Sequence, residues 1–456
     1  MFKNRPIAFF FIATFIGLNI CVPSLEAKSI SFIRDAETEN TIRNYSAPVF
    51  KVAGLNPEDI KIYIVNDNTL NAFVAGGQKL FINTGLLFQS SSANQVIGVI
   101  AHETGHISGG HLVRTHDALA KSNAQSILTM IIGGITGITT GRGDVGAAII
   151  MGSQTSGVRN FLLYSRTQEG SADQAALKFL DLTEQSSLGL LQFMEKLGEQ
   201  ELLSAARQDP YVRSHPLSRD RIKAIAKHVS ISPYSEKRDS PQVELGHNRI
   251  KAKLYAYLNS YAATLRLYKE NDNSIPSRYA RAVALYRRGN LDDALVLING
   301  LLAEFPEDPY FHELKGQMLF ESQHPQEALL AYKRALQFLP AEPLLLREVG
   351  RILLALGDPR YLDEAIKTFQ TALELESDTP SVWRQLAIAY GRKGEKGFSA
   401  LSLAEEALLL GDSSAARYHG GLASTLFAEG TSQWLQSQDI LMAADEIDSH
   451  KKNNQN

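Results

Sequence analysis

Ala101-His102-Glu103-Thr104-Gly105-His106 reads H-E-x-x-H and closes an apolar run, Val96-Ile97-Gly98-Val99-Ile100. Ser92 and Gln95 have the spacing of a capping box just before it, so the run predicts a helix. On a helix, positions four apart share a face, and His102 and His106 point the same way. Two neutral imidazoles so placed can take two corners of a zinc tetrahedron. Glu103 is rotated about 100° from His102 at about 3.6 residues per turn. It therefore stands beside the ion, where a carboxylate can take the proton of the water that the metal polarises. The plain alternative is a surface helix that happens to carry two histidines. The apolar residues before the motif favour a helix buried up to its ligands.

Upstream, Asp35 to Leu55 reads as a helix with Ile42, Tyr45, Val49 and Phe50 as core positions. Ile60 to Val65 alternates like a strand, and Asn71 to Ala75 and Lys79 to Asn83 flank a Gly76-Gly77 hairpin turn. A small sheet thus precedes the H-E-x-x-H helix. It can lend an edge to an extended peptide, or only pack the helix.

Downstream, His106-Ile107-Ser108-Gly109-Gly110-His111 nearly gives the metzincin signature, but Leu112 stands where the third histidine belongs. His111 and His116 are expected as polar residues past the helix break rather than ligands. A second helix is expected over Tyr164 to Leu180, with Glu169 and Asp173 on one face. Glu169 can complete a His, His, Glu set that leaves one position open for water. Asp173, one turn on, can hydrogen-bond a ligand imidazole and fix its tautomer. A solvated acidic face is the alternative. Between these helices, the glycine-rich segment 126–157 holds apolar pieces too short to span a bilayer. It reads as a helical hairpin near the cleft, or as a lid over the metal that touches lipid or an apolar substrate. His215 precedes Pro216, which holds it extended. It can reach the open metal position, hydrogen-bond the oxyanion of a peptide being cleaved, or lie on the surface before a helix starting near Ser218.

The chain has 456 residues, 44% of them hydrophobic, and a net charge of −3. That is enough for two or three domains with real cores, and no basic stripe points to nucleic acid. Lys3 and Arg5 precede an apolar run from Ile7 to Ile20, then Pro23 and Leu25-Glu26-Ala27. This pattern predicts an export signal cleaved after Ala27, with a retained anchor as the alternative. Cys21 is the only cysteine and follows Ile20, not the small residue that a lipidation site wants. The mature chain then has neither disulfides nor cysteine metal ligands.

Ser230 to Gly246 reads as a linker, and beyond it the chain is helical to about Ile447 and repeats. Ala294, Ile298 and Leu301 recur as Ala328, Tyr332 and Ala335, and Gly316 recurs as Gly350, each 34 residues later. Pro306, Pro340 and Pro380 punctuate the units. This is the tetratricopeptide pattern, with small residues where paired helices approach and aromatics between them. Residues 277–411 give four clear repeats, with degenerate or capping pairs on either side. Such a solenoid leaves a concave face free for a protein or peptide.

Residues 28 to about 235 resemble the M48 family of gluzincin metallopeptidases. The matching pieces are Asn71-Ala72-Phe73, His102-Glu103-Thr104-Gly105-His106, Glu169-Gly170-Ser171-Ala172-Asp173, and His215-Pro216 followed by Arg221-Ile222. The resemblance implies zinc on His102, His106 and Glu169, with Glu103 as general base. It gives Asp173 a supporting or proton-donating role and places His215 near the site. The expected fold is mainly α: a gluzincin-type domain with a small β-sheet, then an α-solenoid. The expected divisions are a signal at 1–27, the peptidase at 28–235, a linker at 236–248, the repeats at 249–447 and a polar tail at 448–456. An exported M48 domain with such repeats is similar to periplasmic proteases of outer-membrane quality control. That implies misfolded or stalled outer-membrane proteins as substrates and the barrel-assembly machinery as a partner, with chaperone activity beside proteolysis. The rival reading is a scaffold or chaperone whose peptidase is silent or self-blocked.

Overall fold

Asp35 starts the first helix: its carboxylate accepts from the Thr38 backbone N–H at 2.9 Å and caps α1 (Ala36–Val52). In the computed structural model, residues 31–111, 156–200, 215 and 217–453 are described. The segment at 1–27, His116, and all but the last two residues of 126–157 lie outside the described residues.

Four strands form one sheet in the order β1-β2-β4-β3, with β1 at Phe32–Ile33, β2 at Lys61–Val65, β3 at Ala72–Ala75 and β4 at Lys79–Asn83. The β3–β4 hairpin is antiparallel, as its glycine pair predicts, and Gly76 and Gly77 both take positive φ. β4 then inserts beside β2 in parallel, which leaves β3 at the edge. Strand alternation sends Ile62, Ile64, Val74, Leu80 and Ile82 inward against Ile42, Val49 and Phe50 of α1. The other face carries an in-register aromatic row, in which Phe81 stacks on Tyr63 and on Phe73 at 5.0 and 4.8 Å.

After α2 (Thr84–Gln89) comes α3 (Ala93–Ser108), the H-E-x-x-H helix. Every residue from Gln95 to His106 is buried, so the helix runs through the core, with its apolar first half leading to the polar residues of the motif. The expected capping box does not form. Ser92 makes no side-chain cap, and Gln95 reaches one residue further back, where its Oε1 accepts from the Ser91 N–H at 3.0 Å. The Ala93 N–H is taken instead by Glu244, 151 residues away, at 3.2 Å. Helices α4 (Ser156–Leu182), α5 (Leu188–Gln200) and α6 (Arg219–Ile231) complete this half.

The second half opens with α7 (Pro241–Leu258) and the short α8 (Tyr261–Leu267), both packed on α9 (Ile275–Arg287), and then stacks helices in pairs: α9 with α10 (Leu291–Glu304), and α11 (Pro309–Glu321) with α12 (Pro325–Phe338). Then come α13 (Pro343–Ala355) with α14 (Leu362–Leu375), α15 (Pro380–Lys393) with α16 (Lys396–Leu409), and α17 (Ser413–Leu426) with α18 (Ser432–Asn453). α7 begins inside the stretch read as linker, because Ser240 caps it and Pro241 suits its first turn. α18 runs into the stretch read as a polar tail. The three extra residues near Asp358 form a 3-10 turn, Pro359–Tyr361. The repeating glycines mark close approach, since a Cβ at Gly316 would fall 2.5 Å from Tyr332 and one at Gly350 would fall 2.4 Å from Phe369.

The two halves meet through Ile250 and Leu254 of α7, which join the core of the first half, and through charged groups. Lys253 of α7 is buried and holds Asp35 at 2.5 Å and Glu37 at 3.4 Å. Arg249 grips Glu37 at 2.7 Å and Asp308 at 2.5 Å. Among the described residues, no helix is long and apolar enough to cross a membrane.

Candidate metal centre

α3 and α4 touch where both carry small residues. A Cβ at Gly105 would lie 2.8 Å from the Ala172 carbonyl oxygen. That approach brings Glu169 of α4 up to the two histidines of α3. His102 Nε2 lies 3.2 Å from His106 Nε2 and 3.4 Å from Glu169 Oε2. His106 Nε2 lies 3.4 Å from Glu169 Oε1. His215, on the approach to α6, brings its Nδ1 to 3.4 Å from His102 Nε2 and 3.1 Å from Glu169 Oε2. It is buried, not a surface residue.

The four donor atoms of His102, His106, Glu169 and His215 all lie within 4.8 Å of one another. Ligands about 2.0–2.2 Å from one ion at tetrahedral angles stand about 3.3–3.6 Å apart. Most of the separations sit at or just inside that span. Three imidazoles and one carboxylate also form a donor set that zinc accepts. The residues present therefore fit a metal ion.

The surroundings fix the donors. His102 Nδ1 meets Asp173 Oδ1 at 2.9 Å, so its proton is held on the side away from the cluster. Asp173 in turn is gripped by Arg221, with Nε to Oδ2 at 2.6 Å and Nη2 to Oδ1 at 2.8 Å. Arg221 Nη1 also reaches Glu169 Oε2 at 3.0 Å. Burial pushes the Asp173 carboxyl up, but Arg221 and His102 overcome it and hold it down at about 2. Burial presses His102 towards neutrality, yet Asp173 and Glu169 raise its imidazole to about 10. Burial and the neighbouring His102 push His106 well below its ordinary value. Without an ion, the cluster favours a proton on one imidazole, the charge that a bound cation would replace. Glu103 is buried one position along α3, with Oε1 3.5 Å from His215 Nε2.

The structure thus brings together His102, Glu103, His106, Glu169, Asp173 and His215. His111 lies apart from the donor cluster, with its Nδ1 3.0 Å from the far nitrogen of His106. Arg221 is the site residue whose role the sequence did not reveal. Its only signal was its place beside Ile222 after His215-Pro216.

Residues 36–229 match the Peptidase family M48, and residues 279–343 match a tetratricopeptide repeat. A relative from Vibrio cholerae, named "Putative beta-barrel assembly-enhancing protease", is 24% identical over 55% of this chain and 52% of its own length. The "Beta-barrel assembly-enhancing protease" of Yersinia pestis is 22% identical over 76% of this chain and 71% of its own length. "Metalloprotease LoiP" of Escherichia coli is 28% identical over 38% of this chain and 64% of its own length. The chain spans about half the length of the first of these relatives. With the motif, the donor cluster and the repeats in one polypeptide, the chain carries a region similar to Peptidase family M48 followed by tetratricopeptide repeats.

Proposed function

We propose that this chain is an exported, periplasmic zinc endopeptidase that cleaves extended segments of misfolded or stalled outer-membrane proteins. The convergence of His102, His106, Glu169 and His215 on one point carries this reading. In it, His102, His106 and Glu169 hold zinc. When bound, the ion supplies Lewis-acid activation of a water and of the scissile carbonyl. Glu103 takes the proton of the attacking water on its carboxylate and passes it towards the leaving amine. Asp173 keeps His102 in the tautomer that leaves Nε2 unprotonated. The free edge of β3 pairs an extended segment by main-chain hydrogen bonds. The repeats recruit the substrate or the barrel-assembly machinery, as the names of the relatives favour. The export signal at 1–27, the domain divisions at 28–235 and 249–447, and a peripheral membrane contact belong to the same proposal.

The position of His215 favours a self-blocked resting state. Its Nδ1 stands at the same spacing from His102 and Glu169 as the other donors do. It therefore fills the position that water needs, and a chaperone or scaffold role continues while the peptidase is shut.

The test compares wild type with Glu103→Gln on an unfolded outer-membrane barrel protein. Cleavage by wild type and a fall of roughly 100-fold or more in Glu103→Gln is expected. Equal cleavage by both refutes the catalytic reading. His215→Ala should raise the rate, and a lower rate would mean that His215 assists rather than blocks.

A further inference from the structure

His106 has two ring nitrogens, and the donor cluster uses only one. Nε2 faces His102 and Glu169 at 3.2 and 3.4 Å. Nδ1 faces away and lies 3.0 Å from Nδ1 of His111, with the two rings edge to face at 80°. Two nitrogens that close share one proton. A histidine that offers Nε2 to a metal is neutral and carries its proton on Nδ1. That proton must then be donated to His111, which must accept through its own Nδ1 and keep its proton on Nε2. We propose that His111 is a positioning residue for the metal centre, the acceptor that fixes the tautomer and ring angle of His106.

The chain is shaped to put it there. α3 ends at Ser108, Gly109 follows as the C-cap, and Gly110 turns at a φ of +60°, a conformation that glycine adopts without strain. This bend returns residue 111 beneath residue 106, where the ring is buried. The fit leaves no room for another side chain, because a Cβ at Gly109 would fall 2.5 Å from His111 Nε2. Gln168 Nε2 donates to the His111 carbonyl at 3.3 Å, which ties the bend to the residue next to Glu169. The two histidine ligands are thus backed differently. His102 leans on the Asp173 carboxylate and His106 on a neutral imidazole. A second carboxylate behind His106 would add negative charge to a buried cluster in which Arg221 and a bound dication already balance Glu103, Glu169 and Asp173. A neutral acceptor supplies the hydrogen bond without that charge. This also explains the near-metzincin spacing, since the third histidine serves the ligand and not the metal.

The inference rests on the zinc reading above, so its test measures zinc binding rather than cleavage. Full-length protein is stripped of metal and titrated with zinc ion against a chromophoric chelator. His111→Phe keeps the ring but removes the acceptor, and should weaken zinc binding roughly 10- to 100-fold. His111→Asn places an amide oxygen near the lost Nδ1 and should restore most of that loss. Gly109→Ala leaves His111 in place but pushes its ring aside, and should resemble His111→Phe. The melting temperature of the stripped protein separates positioning from folding. Positioning leaves it near wild type in His111→Asn and His111→Phe while zinc affinity differs between them. Wild-type zinc affinity in both His111→Phe and Gly109→Ala overturns the proposal, as does His111→Asn binding no better than His111→Phe. A wild type that takes up no zinc, or a His106→Ala variant that binds as wild type does, overturns the zinc reading instead.

Discussion

Removing Arg221 should unfold the metal centre from behind. Its guanidinium makes a two-pronged contact with Asp173 at 2.6 and 2.8 Å and a third contact with Glu169 at 3.0 Å. All three side chains are buried. Burial alone raises the Asp173 carboxyl, yet Arg221 and His102 bring it from 3.8 down to about 2. That depression is worth about 2 kcal/mol in favour of the ionised carboxylate. Arg221→Met leaves the buried Asp173 with His102 as its remaining partner among the described residues and also strips Glu169 of a cation, for a loss of roughly 3–5 kcal/mol. For a domain of this size, roughly 2–4 °C per kcal/mol gives a fall of about 6–20 °C in the melting temperature. Arg221→Lys keeps the charge but loses the planar fork and should fall between the two. Adding Asp173→Asn to Arg221→Met should recover part of the loss, because a neutral amide needs no buried cation. The assay is thermal unfolding of wild type, Arg221→Met, Arg221→Lys, Asp173→Asn and the double variant at fixed zinc concentration. Wild-type melting in Arg221→Met would refute the reasoning, and so would strictly additive losses in the double variant.

Two further outcomes are expected elsewhere. His247 is fully buried, and among the described residues neither ring nitrogen has a hydrogen-bond partner; burial and the nearby Lys251 lower its pKa from 6.5 to about 4. The fold keeps it neutral while the unfolded chain protonates below 6.5, so the stability it contributes is complete above that pH. About 3 kcal/mol is then lost as pH falls from 6.5 through 4. His247→Phe should flatten this part of the urea-midpoint against pH curve, and an unchanged slope counts against the assignment. In the repeats, Gly350→Ala sets a Cβ 2.4 Å from the ring of Phe369, which is fully buried. Overpacking should cost about 1–3 kcal/mol in chemical unfolding, with recovery when Phe369→Leu is added.

Much of the site was legible because its geometry is local. His102, Glu103 and His106 lie on one helix, and so do Glu169 and Asp173. Helical periodicity alone therefore fixes which of them share a face. The meeting of the two helices was legible only through the motifs, and the close approach of Gly105 to Ala172 that allows it was not. What escaped depends on contacts between segments far apart in sequence. The pairing of Arg221 with Asp173 spans 48 residues and leaves no periodic trace. β1 is two residues long, too short for alternation to show. The parallel pairing of β2 with β4 depends on where the β3–β4 hairpin docks, which strand patterns do not encode. The capping box failed because Gln95 turned to the Ser91 N–H, and a distant residue, Glu244, took the Ala93 N–H at the start of the helix. The repeats were the most legible part, because each unit packs mainly on its neighbours.

The same long-range contacts tie α7 to the first half, and we propose that the peptidase domain includes it. Divided by sequence at residue 235, the domain would lose α7, yet Ile250 and Leu254 of α7 belong to the core formed by α1, the sheet and α3. Exposing an isoleucine and a leucine forfeits about 1.5–3 kcal/mol each. The cut also removes Glu244 from the start of α3, a helix with no side-chain cap of its own, for roughly a further 1 kcal/mol. Asp35 and Glu37 would lose the buried cations Lys253 and Arg249, although water can then reach them. The hydrophobic and capping losses alone reach about 4–7 kcal/mol, comparable with the whole stability of a small domain. A fragment ending at 235 should therefore be insoluble or molten, while one ending at 258 should show a cooperative melt and bind zinc. If the shorter fragment melts cooperatively near the temperature of the longer one, α7 belongs to the repeats alone. In that case the charged contacts between the halves join two bodies that fold separately.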